Sequence, residues 1–288
     1  MDSFDCYIKA GEIASRVREN ARKKDYTGKN LYEICEQMEQ EIILNGGAPA
    51  FPVNVSLNEI AAHYTAEPND QTVVANSDVL KIDIGVHING FIADTAVTVS
   101  YNTKYLEMVA AAETALNDAI KIVKPNTKSS ELGGVIEKTI SRHGYKPIQN
   151  LSGHSLQQFT IHAGKSIPNI KTFGSSFGLS LNQAYAIEPF VTTNDGQGVV
   201  YEGKVKNIFG IVTRKPTKEK NCDEFLQNIW DKFKTLPFTT RWLLHDHEEV
   251  HVRRVRFASL RHINDRCSRV GISRVFRPVG TSDCGSIE

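Results

Sequence analysis

What this 288-residue chain lacks narrows its class. No stretch approaches the ~18 consecutive apolar residues of a membrane helix, so no span is expected. The N-terminal run MDSFDCYIKAGEIASRVREN carries early acids and no apolar centre, which argues against a secretory signal. An excess of charge is missing too. The formal net charge is +1, which points neither toward nor away from nucleic acid. The five cysteines (Cys6, Cys35, Cys222, Cys267 and Cys284) are odd in number, scattered, and form no C-x-x-C pair. That pattern suits reduced thiols in a cytoplasmic protein and not a disulfide framework. The chain has no internal repeat, heptad run or low-complexity tract. It also has no glycine loop to cradle phosphates and no G-x-S-x-G elbow, so neither of those chemistries has a motif to rest on.

What is present is ordinary globular material, 40% hydrophobic and 8% aromatic, long enough for one large domain or two ordinary ones. Its organising stretch is Leu80–Val99, LKIDIGVHINGFIADTAVTV. Two runs of Val, Ile and Thr flank Asn89-Gly90, the strongest short-range signal for a two-residue hairpin loop. With that loop Ile88 faces Phe91 and Asp83 faces Ala96. Asp94 then lies diagonal to Asp83 on the same face, roughly 7–8 Å away; a loop slightly shorter in register would set the two directly opposite, and either way they share one face. Two like charges on one face of an apolar hairpin are costly unless paired or bound to a metal, so the hairpin calls for a cation.

Helices are expected over 2–24, 29–44, 105–123 and 129–143, from apolar stripes at helical spacing. Gly46-Gly47, Pro125 and Gly144 mark ends, and Ser129 or Ser130 marks a cap. Phe51–Thr65 reads as a strand and loop ending near His63. In Asn150–Pro168, His154 and His162 are eight apart, which in an extended segment places both imidazoles on one face. Gln183–Phe190 reads as an apolar strand carrying Glu188 before Pro189, again a carboxylate without a bland explanation. Independent buried ion pairs would need Lys or Arg in the same strands, and only Lys81 and Lys165 are close in sequence. Asp83, Asp94, His154 and Glu188, with His63 and His162, are instead a carboxylate–imidazole set suited to Mn, Fe, Co or Zn. Carboxylates that bridge suit two ions ~3.5–4 Å apart, which polarise a carbonyl and activate water.

The segments AAHYT, KIDIGVHINGFIADTAVTV, NLSGHSLQQFTIHAGKSIP and AIEPF, in this order, resemble those of type 2 methionine aminopeptidases of archaeal length. The resemblance covers about residues 5–243. It implies an α+β pita-bread (creatinase/aminopeptidase) fold and two divalent ions, Co, Mn, Fe or Zn. In that reading Asp83 chelates one ion, Asp94 bridges both, His154 binds the second, and Glu188 is a further ligand. His162 then donates to the substrate beside the scissile bond, and His63 lines the methionine pocket. The implied activity is release of the N-terminal methionine from nascent polypeptides. The implied setting is a cytoplasmic monomer, ribosome-associated and independent of membranes. The expected division is a catalytic domain over 1–198, a helical insert over 199–243 and a divergent tail over 244–288.

That tail departs from the pattern. Residues before it include 20 Lys and 6 Arg; within it are 8 Arg, no Lys and four of the nine His. The family's final strand, with a Glu in a Gln-x-Glu-His setting bridging both metals, has no counterpart in Leu244–Glu288. A shifted reading frame would produce such a switch, and an irregular tail, impaired activity and low stability are the expectations. HVRRVRFASLRH also reads as a basic amphipathic helix, and HDHEEVH as a metal tract, although it lacks the H-E-x-x-H register. Two other functions stay open: an X-Pro dipeptidase of the same fold, and a non-catalytic pita-bread protein that binds ribosomes or RNA.

Overall fold

A computed structural model describes the backbone of residues 1–174, 176–203, 205–215, 220–246, 260–262, 271–272 and 275–278, and side chains as far as residue 243. Asp2 caps the first helix, α1 (Ser3–Lys23), its carboxylate accepting from Asp5 N at 2.8 Å. Asn30 caps α2 (Leu31–Leu44) in the same way through Tyr32 N at 2.7 Å. Short strands β1 (Ala48–Pro49) and β2 (Asn54–Leu57) lead to the long hairpin β3 (Val79–Ile88) and β4 (Phe91–Ser100). Both loop residues have positive φ, Asn89 at 52° and Gly90 at 84°, as a primed turn requires. The register is the expected one: Ile88 pairs with Phe91, Asp83 with Ala96, and Gly85 with Asp94.

Alternation along the hairpin then sorts its faces. Leu80, Ile82, Ile84, Val86, Ala93 and Val97 join the stripes of α1 and α2 in one apolar cluster. Each fully buried Val, Leu or Ile among them contributes about 1.5–3 kcal/mol, so this face anchors the hairpin. Asp83, Gly85 and Asp94 are left on the other face.

The second half answers the first. Helices α3 (Leu106–Lys121) and α4 (Ser129–Arg142) pack over β5 (Lys146–Pro147), β6 (Ser152–Leu156), β7 (Ser166–Pro168), β8 (Ala184–Ile187) and β9 (Phe190–Thr192). The cap of α4 is Lys128 and not a serine. Glu131 accepts from the Lys128 N–H at 3.3 Å, while the hydroxyls of Ser129 and Ser130 turn to Ser176. β10 (Ile208–Ile211), α5 (Lys220–Phe233) and β11 (Phe238–Thr239) bury a small core of their own around Phe209, Phe225, Ile229 and Phe238.

Most of the tail expected to be irregular lies outside the described residues; within it, 244–246 end a 3-10 helix (Thr240–Asp246), and three short stretches form β12 (Leu260–His262), β13 (Gly271–Ile272) and β14 (Val275–Pro278). These pair antiparallel with β10, β9 and β8. Val275 and Phe276 are good strand formers, and β8 presents an edge for them to complete. Most of HDHEEVH and HVRRVRFASLRH lies outside the described residues; the last three residues of the latter are strand and not helix.

Candidate metal centre

The hairpin's polar face meets β6 and β8 where three ligand-bearing side chains converge. His154 Nε2 stands 3.0 Å from Glu188 Oε1 and 3.5 Å from Asp94 Oδ2. Asp94 is fully buried, with His154 6% and Glu188 2% exposed. One donor atom from each lies within 4.8 Å of the others. Two buried carboxylates aimed at one imidazole nitrogen exceed what a single N–H can satisfy. Ligands about 2.0–2.2 Å from a common ion would stand at such separations. The donor set, two carboxylates and one imidazole, fits Mn, Fe, Co or Zn.

Asp83 belongs to the same site. It is 3% exposed and accepts from Asn54 Nδ2 at 3.3 Å, across the β2–β3 pairing. It lines a cleft together with Phe51, Asn54, His63, His154, Ile161, His162, Ile208 and Pro237. Its lining mixes four apolar residues, Phe51, Ile161, Ile208 and Pro237, with five polar ones, Asn54, His63, Asp83, His154 and His162. All six residues singled out from the sequence are therefore at or beside one cleft. Lys81 directs its ammonium to the Asn58 and Val79 carbonyls at 2.9 and 3.5 Å, and Lys165 reaches Ser180 Oγ at 3.2 Å.

Two local expectations are corrected. His154 and His162 do not share one extended strand. The chain turns through a bridge between Gln157 and Thr160, which brings His162 back edge-on to His154 with ring centroids 4.4 Å apart. Glu188 sits just after β8 and not inside it, because Pro189 has no N–H to continue the ladder.

The sequence reading missed Asn54, Phe51, Ile161, Ile208 and Pro237. Asn54 had a signal, a polar residue between Val53 and Val55 in a short apolar strand. The apolar four had none, since they come together only through the fold. Phe51 fits because Gly85 lacks a side chain: a Cβ there would lie 2.2 Å from the Phe51 ring.

His63 has a positive φ of 58°, a conformation costing a non-glycine residue of order 1–3 kcal/mol. The structure around it holds that strain. Val55 N donates to Tyr64 O at 2.7 Å, Tyr64 Oη to Asp70 at 2.6 Å, and Thr65 Oγ1 to Val53 O at 2.8 Å. Beside these lies Arg241, 2% exposed. It forks onto Glu39 at 2.5 and 2.8 Å and reaches Thr65 Oγ1 at 3.1 Å and Ala66 O at 3.3 Å. Burial alone would lower the Arg241 pKa, but the Glu39 hydrogen bonds and charge hold it above its ordinary value.

Comparison with known proteins agrees with this geometry. Residues 5–206 match the model of metallopeptidase family M24. A methionine aminopeptidase of Pyrococcus horikoshii is 46% identical over 239 residues, 83% of this chain and 80% of that one. A methionine aminopeptidase structure from Thermotoga maritima superposes with a TM-score of 0.62 at 26% identity, over 68% of this chain and 81% of the other. A thermophilic Arx1 structure has a TM-score of 0.80 at 16% identity, covering 99% of this chain and 92% of that one, and so shares its fold.

Proposed function

Because the chain belongs to metallopeptidase family M24, we propose that it removes the N-terminal methionine from polypeptides by metal-dependent hydrolysis. The observation that carries this reading is the convergence of Asp94, His154 and Glu188, with His154 also lining a cleft that Asp83, His63, His162 and four apolar residues share. Asp83 joins them as a fourth ligand, oriented by Asn54, and the set would hold two divalent ions of Co, Mn, Fe or Zn. When bound, such ions polarise the scissile carbonyl and lower the pKa of water to near neutrality.

The remaining residues bind and orient. Phe51, Ile161, Ile208 and Pro237 accept the flexible, unbranched thioether of methionine. His63 contacts that side chain from the loop. His162, exposed at the mouth, donates a hydrogen bond to the substrate carbonyl as negative charge develops on its oxygen. Polypeptide N-termini are the substrates this chemistry implies, met in the cytoplasm, with ribosome association as the corresponding partner reading. Free thiols at Cys6, Cys35 and Cys222 support a reducing compartment, and no helix among the described residues is long and apolar enough to cross a membrane.

The ligand set read from the sequence is one carboxylate short of the family's, so slow turnover belongs to this proposal. So does the division into 1–198, 199–243 and 244–288, the last read in a shifted frame. Resequencing the coding region tests that origin, and an intact frame would end it. The activity is tested with a Met-Ala-Ser peptide and added Co²⁺ or Mn²⁺. The expected result is methionine release, slow, abolished by chelation and absent in His154→Ala. Release that persists without metal would overturn it, as would cleavage of Ala-Pro in preference to Met-Ala, which would mark an X-Pro dipeptidase.

A further inference from the structure

We propose that Arg241 is a positioning residue for the methionine-side wall, acting through Thr65 and Ala66 to hold His63; this rests on the aminopeptidase reading of the cleft. Arg241 lies in the 3-10 helix Thr240–Asp246 that follows β11, far in sequence from the groups it bonds. Its guanidinium joins three pieces of that wall. Glu39, on α2, accepts both guanidinium N–H groups and also accepts from Val53 N at 3.0 Å, which ties down the strand just beyond Phe51. Trp242 Nε1 donates to the same Glu39 carboxylate at 2.7 Å. Thr65 Oγ1 and Ala66 O accept from Arg241 directly, two and three residues past His63.

Asn207, buried next to the cleft residue Ile208, donates to Thr65 O. Phe51, His63 and Ile208 are thus fixed to one charged fork, none of whose members lies among the candidate metal ligands. A planar guanidinium suits this task, since it supplies several donors in a rigid array where an ammonium supplies a point charge. The contact also couples the segment at 199–243 to the site, so the insert would help set substrate fit and not metal affinity.

Thr65→Val tests the idea with little change of shape. It removes the hydroxyl that accepts from Arg241 and donates to Val53 O, and Thr65→Ser puts a hydroxyl back. The full chain is used, with L-methionine as probe of the cleft, Co²⁺ as probe of the metal centre, and ¹³C-labelled histidine ring resonances of the metal-free protein. In Thr65→Val, L-methionine binding to the Co²⁺-loaded protein should weaken roughly 5–10-fold, the scale of one ordinary net hydrogen bond. The His63 resonance should move, while the His154 resonance and Co²⁺ affinity stay at parent values. Thr65→Ser should restore both readouts, and Arg241→Met should reproduce the Thr65→Val pattern with larger amplitude.

An unmoved His63 resonance in Thr65→Val would overturn the proposal, as would a parallel loss of Co²⁺ affinity, which would mark general loosening. If the parent binds Co²⁺ but not methionine while the His63 resonance still responds to Thr65→Val, the positioning role stands and the substrate reading fails.

Discussion

Asp94 stands within a strand, His154 within another, and Glu188 one residue past a third, each set by a backbone ladder. Phe51, His63 and Pro237 stand outside the strands and Ile208 at the start of a short one, held there by side-chain hydrogen bonds and by one positive-φ residue. The cleft therefore has a metal wall fixed by register and a substrate wall fixed by a buried polar network. In the first, a one-residue slip would turn every ligand to the opposite face, so the apolar anchoring of β3 and β4 on α1 and α2 also secures the centre. In the second, position depends on a few atoms: Thr65 Oγ1, the Glu39 carboxylate and the Arg241 fork. Damage to the two walls should separate into loss of metal and loss of fit.

The largest effect is expected on the metal wall. His154→Ala or Glu188→Gln should lower Co²⁺ affinity by more than the roughly 10–100-fold that loss of an outer partner costs, measured by calorimetry. Asn54→Ala removes a hydrogen-bond partner of Asp83 and not a ligand, so its loss should fall within that range of about 10–100-fold. If Asn54→Ala matched His154→Ala, the distinction between ligand and orienting residue would break.

Gly85→Ala probes the boundary between the walls. A Cβ 2.2 Å from the Phe51 ring forces the ring to shift, with an overpacking cost of about 1–3 kcal/mol, readable as a lower Tm. Methionine binding should weaken along with it while Co²⁺ affinity holds.

A smaller effect concerns the hairpin tip, where His87 Nδ1 accepts from Gly90 N at 3.1 Å, which requires that nitrogen unprotonated. Burial lowers the His87 pKa from its ordinary 6.5. Between the lowered value and 6.5 the unfolded chain therefore binds more protons than the native one, and stability falls as pH drops through that window. His87→Gln keeps an acceptor for Gly90 but does not titrate, so it should flatten this slope in pH-dependent unfolding. Smallest of all, Cys35, fully buried and with its thiol pushed up to about 11 by burial, should resist thiol reagents in the native protein and react only on unfolding.

The same contrast explains what the sequence could reveal. The metal wall was legible because strand alternation and the Asn-Gly loop convert spacing into geometry: Asp83, Ala96 and Asp94 fell into register from the turn alone. His154 and His162 were recognised as a pair for an incomplete reason, since a turn at 157–160 and not an even spacing brings them together. Glu188 reads as lying inside a strand over 183–190, whereas that strand ends at Ile187, one residue before it. The substrate wall was opaque because Glu39 and Arg241 are separated by some 200 residues and neither stands in a local pattern. The positive φ of His63 is a tertiary result that no local propensity announces. The tail's strands were missed because pairing to β8, β9 and β10 comes from open partner edges and not from any clear alternation within 244–288.

The most direct test of the metal centre is the visible absorption of bound Co²⁺ in the intact chain. Titration should give d–d bands of a carboxylate–imidazole site that saturate, vanish with chelator, and fail to form in His154→Ala and Asp94→Asn, while Thr65→Val retains them. Absence of such bands in the parent, or unchanged bands in His154→Ala, would contradict the assignment of Asp94, His154 and Glu188 as metal ligands.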